Sequence, residues 1–303
     1  MNMGKEGLGV LAALSAGIIW GSLGLFVRYL DSVGITPVQM TCLRYIIVTV
    51  VLAIYILFRG REMFRINAGD FGIFLLMGIV GTILNSVCYF SAMSMISLSL
   101  AAVLQYVAPF VVIILSVPVL NERLTRNKMI AVAGAFTGCV LCTGVLTAPG
   151  EMDLWGIILG AFSGFCFAVY TVGSKVAYNR GCSVPTVLFY SSLICCVGLI
   201  PFCDLPSAIS ITLSDYTILA LIIGTGFLVT LLPFVLFNYS LKLIEAGKAS
   251  IITYVEPLAA TVIGLVIYNE GVTVDSVIGM VLIFAALIVI NKKEKEAPGS
   301  QGR

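Results

Sequence analysis

Histidine is absent from the 303 residues, and charge is scarce: 17 Lys and Arg and 15 Asp and Glu make 11% of the chain. The missing histidine excludes His-bound metal, Ser-His-Asp and Cys-His nucleophilic sites, and a histidine proton relay. The scarcity of charge excludes a soluble fold of this size, because soluble domains are about 25% charged. No GxxxxGK[ST] stretch occurs, so the chain encodes no nucleotide-powered pump. A net charge of +2 is too small to point to nucleic acid. No metal and no cofactor are expected.

What fills the chain is apolar: 60% hydrophobic residues and a mean hydropathy of +1.10. Most of it must sit in a lipid bilayer. The nine cysteines follow suit. Cys42, Cys88, Cys139, Cys142, Cys166, Cys195 and Cys196 fall in apolar runs and read as small buried hydrophobes, and only Cys182 and Cys203 are expected near water. The Cys139-Val-Leu-Cys142 pair has no second CxxC and no histidine to complete a metal site. No disulfide framework is inferred.

A membrane helix needs about 20 apolar residues. Ten stretches qualify: 9–30, 37–58, 71–93, 98–120, 128–147, 154–178, 185–204, 215–241, 248–269 and 274–291. The first is long enough to span and reads as a retained helix, not a signal peptide. The tail 292–303, with Pro, Gly and Ser, reads as a disordered cytoplasmic end. With the N-terminus inside, fifteen of the seventeen Lys and Arg fall on the cytoplasmic side. Only Arg28 lies outside, Arg44 is left within the membrane, and Asp31, Glu151, Asp153, Asp204, Asp215, Glu270 and Asp275 mark the outer loops. This partition agrees with the positive-inside rule and predicts two cytoplasmic termini.

The chain also repeats itself. Gln105-Tyr-Val-Ala-Pro109 followed by Asn121-Glu-Arg-Leu-Thr125 matches Thr253-Tyr-Val-Glu-Pro257 followed by Asn269-Glu-Gly-Val-Thr273, at a constant offset of 148. The same offset aligns Ser15 with Ser163, Pro37 with Pro185, Ala101 with Ala249, Trp20 with Ala168, Arg44 with Ser192 and Ala108 with Glu256. Each half has five helices, an odd number, so the second inserts upside down. The predicted fold is all-α: ten transmembrane helices as two inverted five-helix repeats, 1–147 and 148–291. Inverted repeats suit a site between the halves that opens to one side and then the other.

Trp20-Gly21 in the first helix, Arg44 in the second and the paired Pro…Asn-Glu stretches of the fourth and ninth resemble the drug/metabolite transporter superfamily, EamA type. The resemblance covers essentially the whole chain. It implies an inner-membrane carrier, often an exporter of amino acids or other metabolites, with a cavity lined by helices 1, 3, 4, 6, 8 and 9. It fixes no substrate.

Two ionisable groups lie in mid-membrane, where insertion costs about 2.5–3.5 kcal/mol each. Glu256, beside Pro257, is the candidate for binding a substrate amine or coupling protons, with an ion pair to Arg44 as the alternative. Arg44 is expected to be structural. Pro109 and Pro257 each free the carbonyl four residues earlier, on Gln105 and Thr253. Those carbonyls, with the Gln105 side chain, could cradle an amine or simply mark kinks. Trp20 lies mid-span, away from the interfacial belt where Trp usually anchors, and is a candidate to face the cavity. Tyr89, Tyr106, Phe237 and Tyr254, at repeat-related positions, could form an aromatic box around a flat or cationic group. Asn85 shares a helix face with Tyr89, and Asn238 follows Phe237, both polar amides at membrane depth. Gly17-xxx-Gly21, Gly134-xxx-Gly138 and Gly156-xxx-Gly160-xxx-Gly164 read as close-packing seams. The expected function is secondary transport of a small metabolite by a monomer or weak homodimer in the bilayer, with protons as the candidate coupling ion. A membrane-embedded enzyme lacks a nucleophile constellation, and a non-transporting receptor or subunit would have no use for an inverted repeat with buried charge.

Overall fold

The computed structural model describes residues 4–146, 153–268 and 273–292. The 292–303 tail beyond Lys292, Glu151 and Asn269-Glu270 lie outside the described residues. Nine described helices are long and apolar enough to cross a membrane: α1 (Lys5–Ser32), α2 (Pro37–Arg59), α3 (Gly69–Met95), α4 (Leu98–Leu120), α6 (Leu154–Asn179), α7 (Val184–Phe202), α9 (Tyr216–Leu243), α10 (Ala246–Ile267) and α11 (Val274–Asn291). The tenth predicted span is α5 (Arg126–Cys142), 17 residues long. Thr125 caps its start by accepting from the Lys128 amide, and it is shorter because it stops at Cys142, ahead of Gly144 with its φ of 65°. A further helix, α8 (Leu205–Ser214), stands where sequence reading leaves a connection. Asp204 caps it through the Ser207 amide, and Ala208 packs beneath it against Leu30, Ile35 and Met40. Large apolar side chains such as Phe58, Ile114 and Val281 point outward, as a lipid solvent allows.

Helices of one half pack chiefly on helices of the other: α1 on α9, α3 on α6, α2 on α7, α5 on α11, α4 on α6 and α1 on α10. Exchanging the halves maps this set onto itself, which is the signature of an inverted repeat. The two halves are interleaved and do not lie side by side. Glycine makes the closest approaches possible. A Cβ on Gly138 of α5 would come within 2.7 Å of the Gly279 carbonyl on α11, and one on Gly279 within 2.6 Å of the Gly138 carbonyl.

The repeat also recurs in helix irregularities. α3 opens into a π-helical stretch at Met77–Leu84, and α9 does so at Thr225–Leu231. Thr82 and Thr230, 148 apart, donate within those stretches to the carbonyls of Gly78 and Thr225. α4 breaks at Tyr106-Val107, and α10 breaks at Thr253-Tyr254. Pro109 and Pro257 therefore sit in the first turn of a new helical segment, where a missing N–H costs little, and not in a helix interior as sequence reading has it.

The first two helices of each half depart from the 148 offset. Gly9 lies against Leu243 and Ile244, while Gly156 lies against Met95 and Ile96. Gly17 lies against Thr253 and Val255, while Gly164 lies against Leu104 and Gln105. Thr36 caps α2 through the Gln39 amide as Ser183 caps α7 through Thr186. These pairs differ by 147. The counterpart of Trp20 is thus Phe167, not Ala168, and that of Arg44 is Ser191, not Ser192. The small-residue contact face fixes the register there, whereas the Ser15/Ser163 and Pro37/Pro185 identities mislead by one residue. The compensating residue falls in the α7–α9 connection that carries α8.

Candidate functional site

Two of the pseudo-symmetric pairs meet in direct ring contact. Tyr106 and Tyr254 have ring centroids 5.8 Å apart, and the Tyr254 hydroxyl donates to the Tyr106 carbonyl at 2.6 Å. Trp20 meets Phe167 edge-on at 6.3 Å. Such contacts place both pairs on the seam between the halves.

Glu256 stands at this seam, half-buried in the first turn after the α10 break. The Tyr106 hydroxyl, Tyr89 and Cys139 lie close to its carboxyl. Gly21 lets α1 come close, since a Cβ there would be 2.6 Å from the Glu256 carbonyl. Trp20, one residue earlier, is thereby held at the same seam. Its ring packs on Phe234 at 5.3 Å and Phe237 at 5.4 Å.

The remaining candidates divide. Phe237 is fully buried beneath Trp20, and Tyr254 is buried with its hydroxyl committed to Tyr106. Asn238 is fully buried and fully bonded: it donates to the Tyr170 hydroxyl at 2.9 Å and the Phe234 carbonyl, and it accepts from Tyr178 at 2.7 Å. Asn85 donates to the Ser163 carbonyl at 2.8 Å, tying α3 to α6. Gln105 is half-buried and its side chain makes no hydrogen bond among the described residues. The carbonyls of Gln105 and Thr253 are packed against Gly164 and Gly17, and the Thr253 carbonyl also accepts from the Glu256 amide. They do not stand open as an amine cradle.

Arg44 lies elsewhere. It donates to Thr41 at 3.1 Å, neighbours Tyr45 and Cys195, and forms no ion pair among the described residues. The alternative of an Arg44–Glu256 pair is thus not realised here. Cys203 is also not at the water boundary that sequence reading gives it: it is 7% exposed, in one apolar cluster with Cys42. Cys182 is half-buried, and burial pushes its thiol up as well.

Sequence reading missed Phe167, Phe234 and Tyr170, which complete the ring cluster around Trp20. The signal for Phe167 was present in the glycine spacing, which runs Gly9, Ala13, Gly17 in one half and Gly156, Gly160, Gly164 in the other.

A seam of aromatic rings with one half-buried carboxyl, set between two interleaved inverted repeats of membrane helices, defines a polytopic membrane transporter. Its relatives agree. The model of the EamA-like transporter family matches residues 7–144 and again 154–292. The chain belongs to the EamA-like transporter family. It is 28% identical over 281 residues to an uncharacterized transporter of Archaeoglobus fulgidus, covering 93% of this chain and 95% of that protein. It is 24% identical to the uncharacterized inner membrane transporter YicL of Salmonella typhimurium, covering 95% and 97% of the two chains. A crystal structure 18% identical superposes with a TM-score of 0.74 over 93% of this chain and 96% of the other, which shows a shared fold.

Proposed function

We propose that the chain is a secondary carrier for a small metabolite with a cationic or aromatic group, such as an amino acid or amine, and that it works as an exporter by alternating exposure of the seam between its repeats. The observation that carries this reading is Glu256: one half-buried carboxyl, near Tyr106, at the seam between the halves. A carboxyl at membrane depth with no cationic partner among the described residues suits an ammonium group or a transferred proton. Aromatic faces around it attract the same cations. Trp20, Tyr89 and Tyr106 are the other residues assigned to substrate contact. Phe237, Asn238 and Tyr254 support that surface from behind, and Asn85 holds α3 against α6. The basic loops support a topology with both termini in the cytoplasm of an inner membrane.

The test begins with purified full-length protein and a thermal-shift screen of amino acids, amines and nucleobases. Binding stabilises the folded state in proportion to ligand excess, so the expected hits carry an amine, and each is followed by flux in proteoliposomes. Hits confined to anions, or bound amines that are never moved across the bilayer, would reject the reading.

A further inference from the structure

An inverted repeat supplies its own control, because the same segment occurs once near each membrane surface. The segments are the first parts of α4 and α10, Leu98–Gln105 and Ala246–Ile252. The second lies on the side that bears the chain termini, where Lys248 bonds Glu6 at 2.8 Å. Ala246, Ala249, Ile251 and Ile252 are wholly buried. Its counterpart on the opposite side buries Ala101 and Val103 but leaves Leu98 55% exposed.

The buried segment is held at both ends by the first repeat. At its start stands the Glu122 carboxyl, 9% exposed. One oxygen accepts from the Ala246 amide at 2.6 Å, and the other accepts from the Gly247 amide at 3.2 Å. Lys128, 4% exposed, reaches Glu122 at 3.4 Å, Glu245 at 2.9 Å and the Arg123 carbonyl at 2.9 Å. At its far end Tyr254 donates to the Tyr106 carbonyl at 2.6 Å. Among the described residues Leu98–Gln105 begins on its own Ser97, which accepts from the Leu100 amide at 3.3 Å; Glu270, the repeat counterpart of Glu122, lies outside the described residues.

We infer that this structure is the state closed on the terminal side, and that Glu122 is the latch that closes it. A carboxylate across two helix-N-terminal amides makes strong charge-assisted bonds. Buried as it is, it can let go only when water replaces both amides and Lys128 together. Opening of that side and hydration of the latch are therefore one event. Because the held segment leads directly through Tyr254 to Glu256, Glu122 also acts as a positioning residue for the central carboxyl. The latch depends on the carrier reading only for its purpose, since closure itself is measurable without any solute.

The experiment uses full-length protein in liposomes with two cysteine reporters, Ser250→Cys in the held segment and Ala102→Cys in its counterpart. An impermeant maleimide is added to one side at a time, and the parent protein's own labelling is subtracted. Glu122→Gln should raise labelling of Ser250→Cys from the terminal side about tenfold, equivalent to weakening closure by about 1.4 kcal/mol. The same change should slow labelling of Ala102→Cys from the opposite side, since opening one side closes the other. Unchanged rates in folded Glu122→Gln protein would overturn the latch, and a rise at both reporters would overturn it too, as mere loosening. If Glu122→Gln does not fold, Lys128→Met and Glu245→Gln keep both amide bonds and carry the same test, with unchanged rates in both again overturning it. Lost flux with unchanged labelling would reject the latch and spare the carrier reading. The expected labelling in a protein that moves no solute would do the reverse.

Discussion

The two halves of this protein share a topology, a break in the fourth helix and a π-helical stretch in the third, yet they differ where chemistry is concerned. Val107-Ala108-Pro109 and Val255-Glu256-Pro257 occupy equivalent places at an offset of 148. Ala108 is a buried filler, 3% exposed, whereas Glu256 is a half-buried carboxyl. Trp20 faces Phe167 across the seam, a pair alike in bulk but not in polarity. Pseudo-symmetry thus builds the scaffold, and the candidate functional groups stand where the halves depart from it. A substrate site on a twofold axis need not be symmetric if only one half contributes the charge.

The comparison breaks most sharply at Glu256. Glu256→Gln is expected to fold and to lose nearly all accumulation driven by a proton gradient in proteoliposomes, while Ala108→Glu alone leaves coupling dependent on Glu256. Gradient-driven uptake that survives in the Gln variant would remove Glu256 from the coupling role.

The next largest difference concerns how the two half-helices begin. Glu122→Ala removes a buried carboxylate from the Ala246 and Gly247 amides and leaves Lys128 to Glu245 and the Arg123 carbonyl; losing one partner of a buried pair costs about 3–5 kcal/mol. Ser97→Ala removes one ordinary cap, which costs about 1 kcal/mol. Unfolding in mixed micelles should rank them in that order. Equal losses would mean that the ends are held alike and that the asymmetry is only apparent.

A smaller contrast lies along the glycine seams. Gly164→Ala would press a methyl within 2.9 Å of the Gln105 carbonyl and 3.3 Å of the Ala108 amide, both backbone. Such overpacking costs about 1–3 kcal/mol. Gly134→Ala meets only the Ala286 methyl at 3.9 Å and should change stability by less than about 0.5 kcal/mol. Comparable melting temperatures for the two variants would show that the α4–α6 contact yields easily.

Much of this architecture was legible in the residues. Apolar runs gave the membrane helices, because in lipid hydropathy and burial of the backbone impose the same length. The Tyr…Pro…Asn-Glu echo gave the repeat, since identical residues serve identical breaks in α4 and α10. The α8 helix was not legible: ten residues with exposed Ile209 and Leu213 look like either an interfacial turn or a loop. The register of α1 against α6 was misread because Ser15 and Ser163 are an identity without a shared contact, while the glycines that make the contact sit one residue off. Among site residues, Asn238 was found as a polar amide at membrane depth and Phe237 as the repeat counterpart of Tyr89. The burial of Asn238 could not be foreseen, because a polar side chain satisfied by Tyr170 and Tyr178 and one aimed at a cavity have the same sequence signature. The Glu122 latch was invisible for another reason: its partners, the amides of Ala246 and Gly247, are backbone groups 124 and 125 residues away.

The finest test of the comparison lies at a pair of equivalent helix starts on opposite sides of the membrane, that of α9 away from the termini and that of α3 on the terminal side. Asp215 caps α9 by accepting from the Thr217 amide at 2.6 Å. Its equivalent at an offset of 148 is Asn67, whose side chain makes no capping bond. The bonds from Thr217 hold the Asp215 carboxyl below its ordinary range, against a weak opposing effect of burial. A carboxyl depressed in the folded state stabilises that state above its unfolded pKa, and the contribution fades as pH falls through the folded value. The charge also favours the positive end of the helix dipole. Asp215→Asn should therefore lower the melting temperature slightly at pH 7, and the gap from the parent should narrow steadily as the buffer is acidified. Asn67→Ala should leave the melting temperature unchanged at every pH. The group is fully exposed, so the Asp215 effect is expected to shrink in high salt. A gap that stays constant with acidification would mean that the cap acts through its geometry alone, and that the two helix starts differ in shape but not in charge.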